Sequence, residues 1–375
     1  MLYRSIVRPL LFRLSSETAH EIGLNTLSIG FSPKLVRSIA ANRFSLSPFG
    51  PIKRFGLTFT NPVGIAAGFD KNGVVANALE ALGFGFVEVG TVTFHPQPGN
   101  PKPRLFRLPK DKALINRAGF NNEGAARLVQ RLEKGRPSCA LGVNIGKSKI
   151  VELENAVEDY LASFDIVYSL ADYIAINVSS PNTPNLRELQ RADALGALLD
   201  SLQKRNQELA LKQGKERPLP LLVKIAPDLD QGELEEIIGV AVEKNLSGII
   251  ATNTTVSREG LHSTRDEIEA CGQGGLSGAP LKRRSTEIIS EIYRLTKGSL
   301  PIIGVGGIFT AQDAWEKISA GACLIQLYTG LIYEGPIIAR KINEGLFEIF
   351  NKHGLSSFDE AVGCNSGQWS VVSGQ

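Results

Sequence analysis

The sequence is poor in cysteine, and none of its cysteines is placed to act as part of a pair. The four (Cys139, Cys271, Cys323 and Cys364) lie far apart. That spacing excludes a disulfide framework and a zinc-type site, and it fits a reducing compartment. Histidine is equally sparse: His20, His95, His262 and His353 are scattered, so no metal centre is expected. No apolar run approaches the roughly 20 residues needed to span a bilayer. The opening stretch from Met1 to Leu14 is interrupted by Arg4, Arg8 and Arg13, which spoils a signal-peptide core. A net charge of +3 is too small to indicate nucleic acid as a partner. There is no Ser-His-Asp or Cys-His set and no convincing carboxylate pair, so hydrolysis is disfavoured.

What is present is an ordinary globular composition, 375 residues with 43% hydrophobic and 21% charged, enough for one large α/β domain or two smaller ones. Charge is unevenly spread. Residues 1–55 carry Arg4, Arg8, Arg13, Lys34, Arg37, Arg43, Lys53 and Arg54 against only Glu17 and Glu21, so the basic excess is confined to this end. Leu2, Ile6, Leu10 and Leu14 recur at helical spacing, with Pro9 expected to kink or restart the helix. A second amphipathic stretch runs from Ser16, the expected cap, to Ile29, and a third follows Pro33. Two readings stand side by side: a helical appendage packed on the main domain, or a contact lying in one leaflet of a membrane. Ser45 to Pro51 reads as a linker.

From residue 57 the chain alternates. Eight apolar runs (63–67, 86–89, 140–145, 173–178, 221–225, 248–251, 302–305 and 323–327) are each followed by a helical pattern, centred near Ala78, Leu128, Ala156, Leu198, Ile237, Ile288, Ala314 and Ile342. Near-continuous apolar strands covered on both faces imply a parallel sheet. Eight such units predict a (β/α)8 TIM barrel with a small N-terminal helical extension. A doubly wound sheet is the alternative, but no GxGxxG fingerprint follows the first strand.

In a barrel of this kind chemistry sits at the C-terminal strand ends, and here each end is polar or glycine-rich. The run Asn177-Val178-Ser179-Ser180-Pro181-Asn182-Thr183 stands out. A turn with a helix cap accounts for one or two of these side chains, but not for two amides and three hydroxyls. Glycines after the seventh and eighth runs, with Gly278 before them, suit a phosphate held on bare backbone N–H groups. Asn116, Asn144, Asn177, Asn182 and Asn253 offer donors and acceptors to an amide- or imide-like ring. Lys71 and Lys224 could neutralise anionic groups.

Six motifs then resemble one family in order. They are Ala-Ala-Gly-Phe-Asp-Lys at 66–71, Asn-Arg-Ala-Gly-Phe-Asn at 116–121, Asn-Val-Ser-Ser-Pro-Asn-Thr at 177–183, Val-Lys-Ile-Ala-Pro-Asp at 223–228, Ala-Thr-Asn-Thr-Thr at 251–255 and Gly-Val-Gly-Gly-Ile at 304–308. This set resembles the dihydroorotate dehydrogenases from residue 1 to about 350. The basic extension and the serine at 180, where the soluble classes have cysteine, look like the quinone-dependent class.

The resemblance implies oxidation of (S)-dihydroorotate to orotate in pyrimidine biosynthesis, with one FMN as first acceptor and a membrane quinone as the last. Ser180 would be the catalytic base. FMN would be held by Ala66, Ala67, Gly68, Phe69, Asp70, Thr91, Asn144, Asn177, Lys224, Thr252, Gly278, Gly307, Tyr328 and Thr329. Orotate would meet Lys71, Asn116, Arg117, Ala118, Gly119, Phe120, Asn177, Asn182, Asn253 and Thr254. His20 and Arg107 would line a quinone tunnel. The implied organisation is a membrane-associating segment at 1–45, a flavin barrel at 46–350 and a tail at 351–375, rich in Ser and Gly beyond Gly354 and expected to be mobile. A monomer bound peripherally to lipid at the cytoplasmic face of the inner membrane would follow. Because a serine hydroxyl is a weak base, the proton is expected to leave through Thr183 or a water. Deleting residues 1–45 is expected to lower quinone turnover while sparing flavin reduction.

Three other readings remain at this point. A flavin-free phosphate-binding lyase would use Lys224 as a Schiff-base nucleophile. Another FMN-dependent pyrimidine reductase would share the phosphate site but have no use for the extension. A membrane scaffold would explain the extension but not the polar strand ends.

Overall fold

The computed structural model describes residues 2–369. Eight parallel strands close into a barrel in chain order: β1 (Val63–Ile65), β2 (Phe86–Val92), β3 (Ala140–Ile145), β4 (Tyr173–Asn177), β5 (Leu221–Ile225), β6 (Gly248–Ala251), β7 (Ile302–Val305) and β8 (Leu324–Leu327). Closure is made where Gln326 of β8 pairs with Gly64 of β1. The doubly wound alternative is therefore excluded. Every barrel-strand residue is buried, because helices cover the outside and side chains fill the inside.

The eight expected crossover helices are present as Ala76–Ala81, Ala125–Leu132, Ala156–Val167, Ala192–Lys212, Gln231–Glu243, Lys282–Thr296, Ala311–Ala320 and Ile338–His353. The N-terminal end of the barrel is plugged. A hairpin pairs Ile52–Arg54 with Leu57–Phe59, and the fully buried Phe59 ring meets Phe86 edge-on at 5.3 Å. Gly64 gives that ring its space, since a Cβ there would stand 2.4 Å from Phe86.

An element not expected from sequence covers the other end. Leu105–Leu108, Ala113–Asn116 and Gly275–Gly278 form a three-stranded antiparallel sheet, with its own small core of Leu108, Ala113, Ile115, Cys271 and Leu276. It carries Asn116 and Gly278 to the mouth.

The two longer helices of the extension are α1 (Ser16–Gly30) and α2 (Lys34–Phe44). The cap of α1 is Ser15 rather than Ser16: the Ser15 hydroxyl accepts the Thr18 N–H at 3.1 Å, leaving Ser16 inside the first turn. Upstream, the helix changes from π-type to α-type at Arg8, one residue before Pro9. This end docks on the segment after β8: the Tyr3 hydroxyl donates to the Ile332 carbonyl at 2.7 Å, Arg8 donates to the Tyr333 carbonyl at 3.0 Å, and Arg4 pairs with Glu334. The solvent side of the extension keeps Leu2, Ile6, Leu10, Ile29, Leu35 and Ile39 exposed. No helix among the described residues is long and apolar enough to cross a membrane.

The tail corrects an expectation. Through Trp369 it is packed rather than loose, because Phe358 is buried and stacks on Phe350 at 5.6 Å, while Gly363 and Asn365 donate to the Ile318 and Ser319 carbonyls. Residues 370–375 lie outside the described residues.

Candidate active site

The strand tips, the antiparallel sheet and α1 together enclose a cavity of about 370 Å³ at the C-terminal mouth. Its lining includes Ala66, Ala67, Gly68, Phe69, Asp70 and Lys71 after β1, Thr91 on β2, Asn177 at the end of β4 with Ser180 and Asn182 beyond it, and Lys224 on β5. Thr252, Asn253 and Thr254 after β6, Gly307 after β7, and Tyr328 and Thr329 after β8 complete the strand-end set. Asn116, Ala118, Gly119, Phe120 and Gly278 reach it from the antiparallel sheet and its loop. Segments as distant as residues 66 and 329 are thus brought to one place.

Three of the residues assigned to cofactor, substrate or quinone are not in that lining, and neither is Thr183, the expected proton relay. Asn144 lies directly behind it, fully buried: its Oδ1 accepts from Thr91 Oγ1 at 2.5 Å and from Asn177 Nδ2 at 3.3 Å. Arg117 turns outward over the Phe106 ring at 4.6 Å and donates to the Pro103 and Cys271 carbonyls, so its side chain takes no part in the wall. Arg107 belongs to a second cavity, described below.

The two adjacent serines have different environments. Ser179 Oγ is buried, donating to Asn177 Oδ1 at 3.0 Å and accepting from Asn253 Nδ2 at 2.9 Å. Ser180 Oγ accepts the Asn182 N–H at 3.2 Å and otherwise faces the cavity. The side chain of Asn182 is fixed in turn, donating to Asn116 Oδ1 at 3.1 Å.

Beneath the cavity lies a polar floor that sequence reading missed. Glu88, fully buried on β2, accepts from Asn144 Nδ2 at 2.9 Å, from the Tyr173 hydroxyl at 2.9 Å and from Gln326 Nε2 at 2.7 Å. Gly142 leaves room for Tyr173, whose ring would stand 2.1 Å from a Cβ there. Burial lowers the Lys224 ammonium pKa from its ordinary value, and the Glu88 carboxylate opposes that shift. Lys71 is lowered to about 8, first by burial and then by the charge of Arg104, against the pull of Glu17 and Asp70. The available signal was a lone Glu and a lone Gln inside apolar strand runs, where only an inward-facing polar group is expected.

The residues fit a phosphate-bearing ring cofactor. Among the described residues, the Thr183 and Thr254 hydroxyls and Gln326 Oε1 are buried with no hydrogen-bond partner, although buried polar atoms are ordinarily paired. The loop after β7 passes so close to Lys282 that a Cβ on Gly307 would lie 2.4 Å from its Cβ, and Gly307 has φ +69°. Its backbone donates to no protein carbonyl among the described residues, as an anion cradle requires.

A second cavity of about 590 Å³ lies between the extension and the barrel, lined largely by apolar groups such as Leu2, Val7, Leu11, Phe12, Ala19 and Leu27, with Arg107 on its wall. His20, Phe69 and Leu105 line both cavities. The His20 and Phe69 rings meet edge-on at 5.2 Å, and Phe69 meets Tyr328 at 6.0 Å. Burial, followed by the nearby Lys71 charge, lowers His20 to about 4, so it is neutral at physiological pH. Arg107 is held over the Phe12 ring at 4.6 Å and donates to the Leu11 carbonyl at 3.1 Å.

Fold and site together define a (β/α)8-barrel enzyme working at its C-terminal mouth. The chain matches the family described as dihydroorotate dehydrogenase over residues 52–350. It is 51% identical over 363 residues to a protein of Gloeobacter violaceus named dihydroorotate dehydrogenase (quinone), covering 97% of this chain and 99% of that one. A protein of the same name from Chloroflexus aurantiacus is 52% identical over 360 residues, covering 92% and 96%. The crystal structure of DHODH from Eimeria tenella in complex with ferulenol superposes with a TM-score of 0.84 at 40% identity, covering 93% and 95% of the two chains. This chain belongs to the dihydroorotate dehydrogenase family and groups with its quinone-dependent members. These are flavin oxidoreductases, and the rival lyase and scaffold readings are not favoured.

Proposed function

We propose that this chain oxidises (S)-dihydroorotate to orotate in pyrimidine biosynthesis, passing electrons through FMN to a membrane quinone. The observation that carries the reading is the division of labour between two serines. Ser179 is consumed in the wall, whereas the Ser180 oxygen is left free in the cavity that also holds Lys71, Asn116, Asn182 and Asn253.

A flavin bound at the mouth supplies a two-electron acceptor for the C6 hydride. Ser180 Oγ takes the C5 proton as it hands its own hydroxyl proton onward, and the Asn182 N–H pointed at that oxygen stabilises the alkoxide character it carries while that proton leaves. The buried, unpartnered Thr183 hydroxyl supports onward transfer through Thr183 or a water. Lys71 and the amides of Asn116, Asn177, Asn182 and Asn253, with Thr254 and the 118–120 backbone, hold the carboxylate and the ring carbonyls. Ala66 to Asp70, Thr91, Asn144, Asn177, Lys224 and Thr252 suit the isoalloxazine, and Gly278, Gly307, Tyr328 and Thr329 suit the phosphate. The Asp70 carboxylate stays in place by accepting the Val74 and Val75 N–H groups at 2.8 and 2.7 Å.

The apolar cavity beside His20 and Arg107 is the proposed quinone site. The exposed leucines and isoleucines of residues 1–45 are the proposed lipid contact of a monomer held peripherally at the cytoplasmic face of the inner membrane. Residues 46–350 form the flavin barrel, and the packed tail completes it.

The purified protein is expected to be yellow, to bleach when dihydroorotate is added without oxygen, and to recover its colour when a quinone follows. A colourless protein that borohydride traps with a carbonyl substrate would instead establish Lys224 lyase chemistry.

Lys71 gives a pH signature. Orotate is an anion, so its affinity is retained while Lys71 is protonated and lost as pH rises through about 8. Titrating the flavin spectrum with orotate should give a constant Kd below that pH and a rise of up to about tenfold per pH unit above it. Lys71→Met should weaken binding and flatten the profile. A Kd in the unaltered protein that stays constant well above pH 8 would remove the charge role.

A further inference from the structure

Helix α1 does more than wall the apolar cavity: it brings a carboxylate into the mouth. Glu17 lines the first cavity and accepts from Arg104 Nε at 3.0 Å, the two side chains being only 20% and 10% exposed. Lys102 stands 3.7 Å from the same oxygen and 3.3 Å from Glu21.

Arg104 is the hinge of a loop, residues 97–104, that lies against the substrate wall. Its guanidinium also donates to the Pro98 carbonyl and, at 3.0 Å, to the Asn100 carbonyl, folding the loop back on itself. The Asn100 amide then donates to the Arg117 carbonyl at 3.0 Å and the Asn182 carbonyl at 3.3 Å. Backbone bonds add to this: Asn100 N–H to the Ala118 carbonyl at 3.1 Å and Arg117 N–H to the Arg104 carbonyl at 2.8 Å. The fit leaves no slack, since a Cβ on Gly119 would lie 2.8 Å from the Asn100 side chain. A continuous set of polar contacts therefore runs from α1 to the backbone on either side of the pyrimidine-facing amides.

We propose that Glu17 is a positioning residue for the dihydroorotate site, acting through Arg104 and the 97–104 loop on Asn116 and Asn182. The N-terminal extension thereby serves the electron donor as well as the acceptor. This rests on the reading of the mouth as the dihydroorotate site. Without Glu17, Arg104 keeps its two carbonyl contacts but loses the anchor that ties it to α1, so the wall loosens before the chemistry does.

The test uses the full-length holoprotein in detergent with a short-chain quinone, which removes lipid docking as a variable. Glu17→Ala should raise the dihydroorotate KM and the orotate Kd about five- to tenfold, the scale of a lost charge-assisted hydrogen bond in a partly shielded setting. The quinone KM and the kcat at saturating dihydroorotate should stay within about twofold. Glu17→Gln, which keeps an acceptor but no charge, should recover part of the affinity. If both variants bind orotate like the parent, or if the quinone KM moves instead, Glu17 serves only the extension's own packing. If orotate fails to perturb the parent flavin spectrum, the reading of the mouth falls and the proposal falls with it. The expected effect of deleting residues 1–45 changes accordingly: the deletion removes Glu17 as well, so flavin reduction at low dihydroorotate should also suffer.

Discussion

Replacing Ser180 with Ala is expected to slow reduction of the flavin by dihydroorotate about a thousandfold while leaving flavin content and spectrum unchanged. The magnitude follows from what a positioned base contributes, roughly 10² to 10⁴ in rate. The separation of effects follows from geometry, because Ser180 holds up nothing: its oxygen accepts one backbone N–H, from Asn182, and points into open space. Ser179 provides the control. Its hydroxyl joins Asn177 to Asn253, so Ser179→Ala should disturb binding of both ring ligands and leave the chemical step less affected. Stopped-flow reduction under anaerobic conditions measures the two variants directly. Parent-like reduction in Ser180→Ala would remove this hydroxyl from the mechanism.

Glu88→Ala is expected to be the most damaging single change to the barrel. The carboxylate is fully buried and satisfies three donors, from Asn144, Tyr173 and Gln326. It also supplies the negative charge that partly offsets burial of the Lys224 ammonium. Removing it orphans the donors and leaves a buried cation uncompensated. Leaving buried donors unsatisfied costs about 1–3 kcal/mol each, so a total loss of about 3–5 kcal/mol is expected. In a chain of this length that corresponds to a fall in Tm of about 4–6 °C. Glu88→Gln retains acceptor capacity at one oxygen and should lose about half as much. Thermal melts followed by circular dichroism decide the matter, and an alanine variant melting with the parent would mean that the floor is structurally idle.

Much of the architecture was legible because the barrel strands are buried on both faces. An apolar run such as Leu221 to Ile225 with a polar residue at its tip suits a strand of a parallel barrel and little else. The same pattern exposed Lys71, Ser180 and Asn253, each a polar group past an apolar run, and Asn177 at the end of one. Glu88 and Gln326 were hidden by that very rule, since each interrupts a run from within and registers only as a strand residue. The antiparallel sheet over the mouth left no local trace. Its central strand, Ala113–Asn116, pairs with Gly275–Gly278, and no spacing within either segment announces a partner so remote in sequence. Arg117 shows a further limit: its neighbours Asn116 and Ala118 face the cavity, while its own guanidinium is drawn outward by Phe106 and two carbonyls. The tail misled through composition, because serine and glycine suggested looseness while Phe358 and Ala361 supplied the anchors.

The common wall of His20, Phe69 and Leu105 separates the ligands as well as joining the compartments. On the proposed assignment of the two cavities, an inhibitor wedged among the leucines on one side would obstruct the oxidant and leave the pyrimidine's entrance clear, and a pyrimidine mimic would do the reverse. On that assignment, both kinds of inhibitor are expected to be resident on one molecule at once.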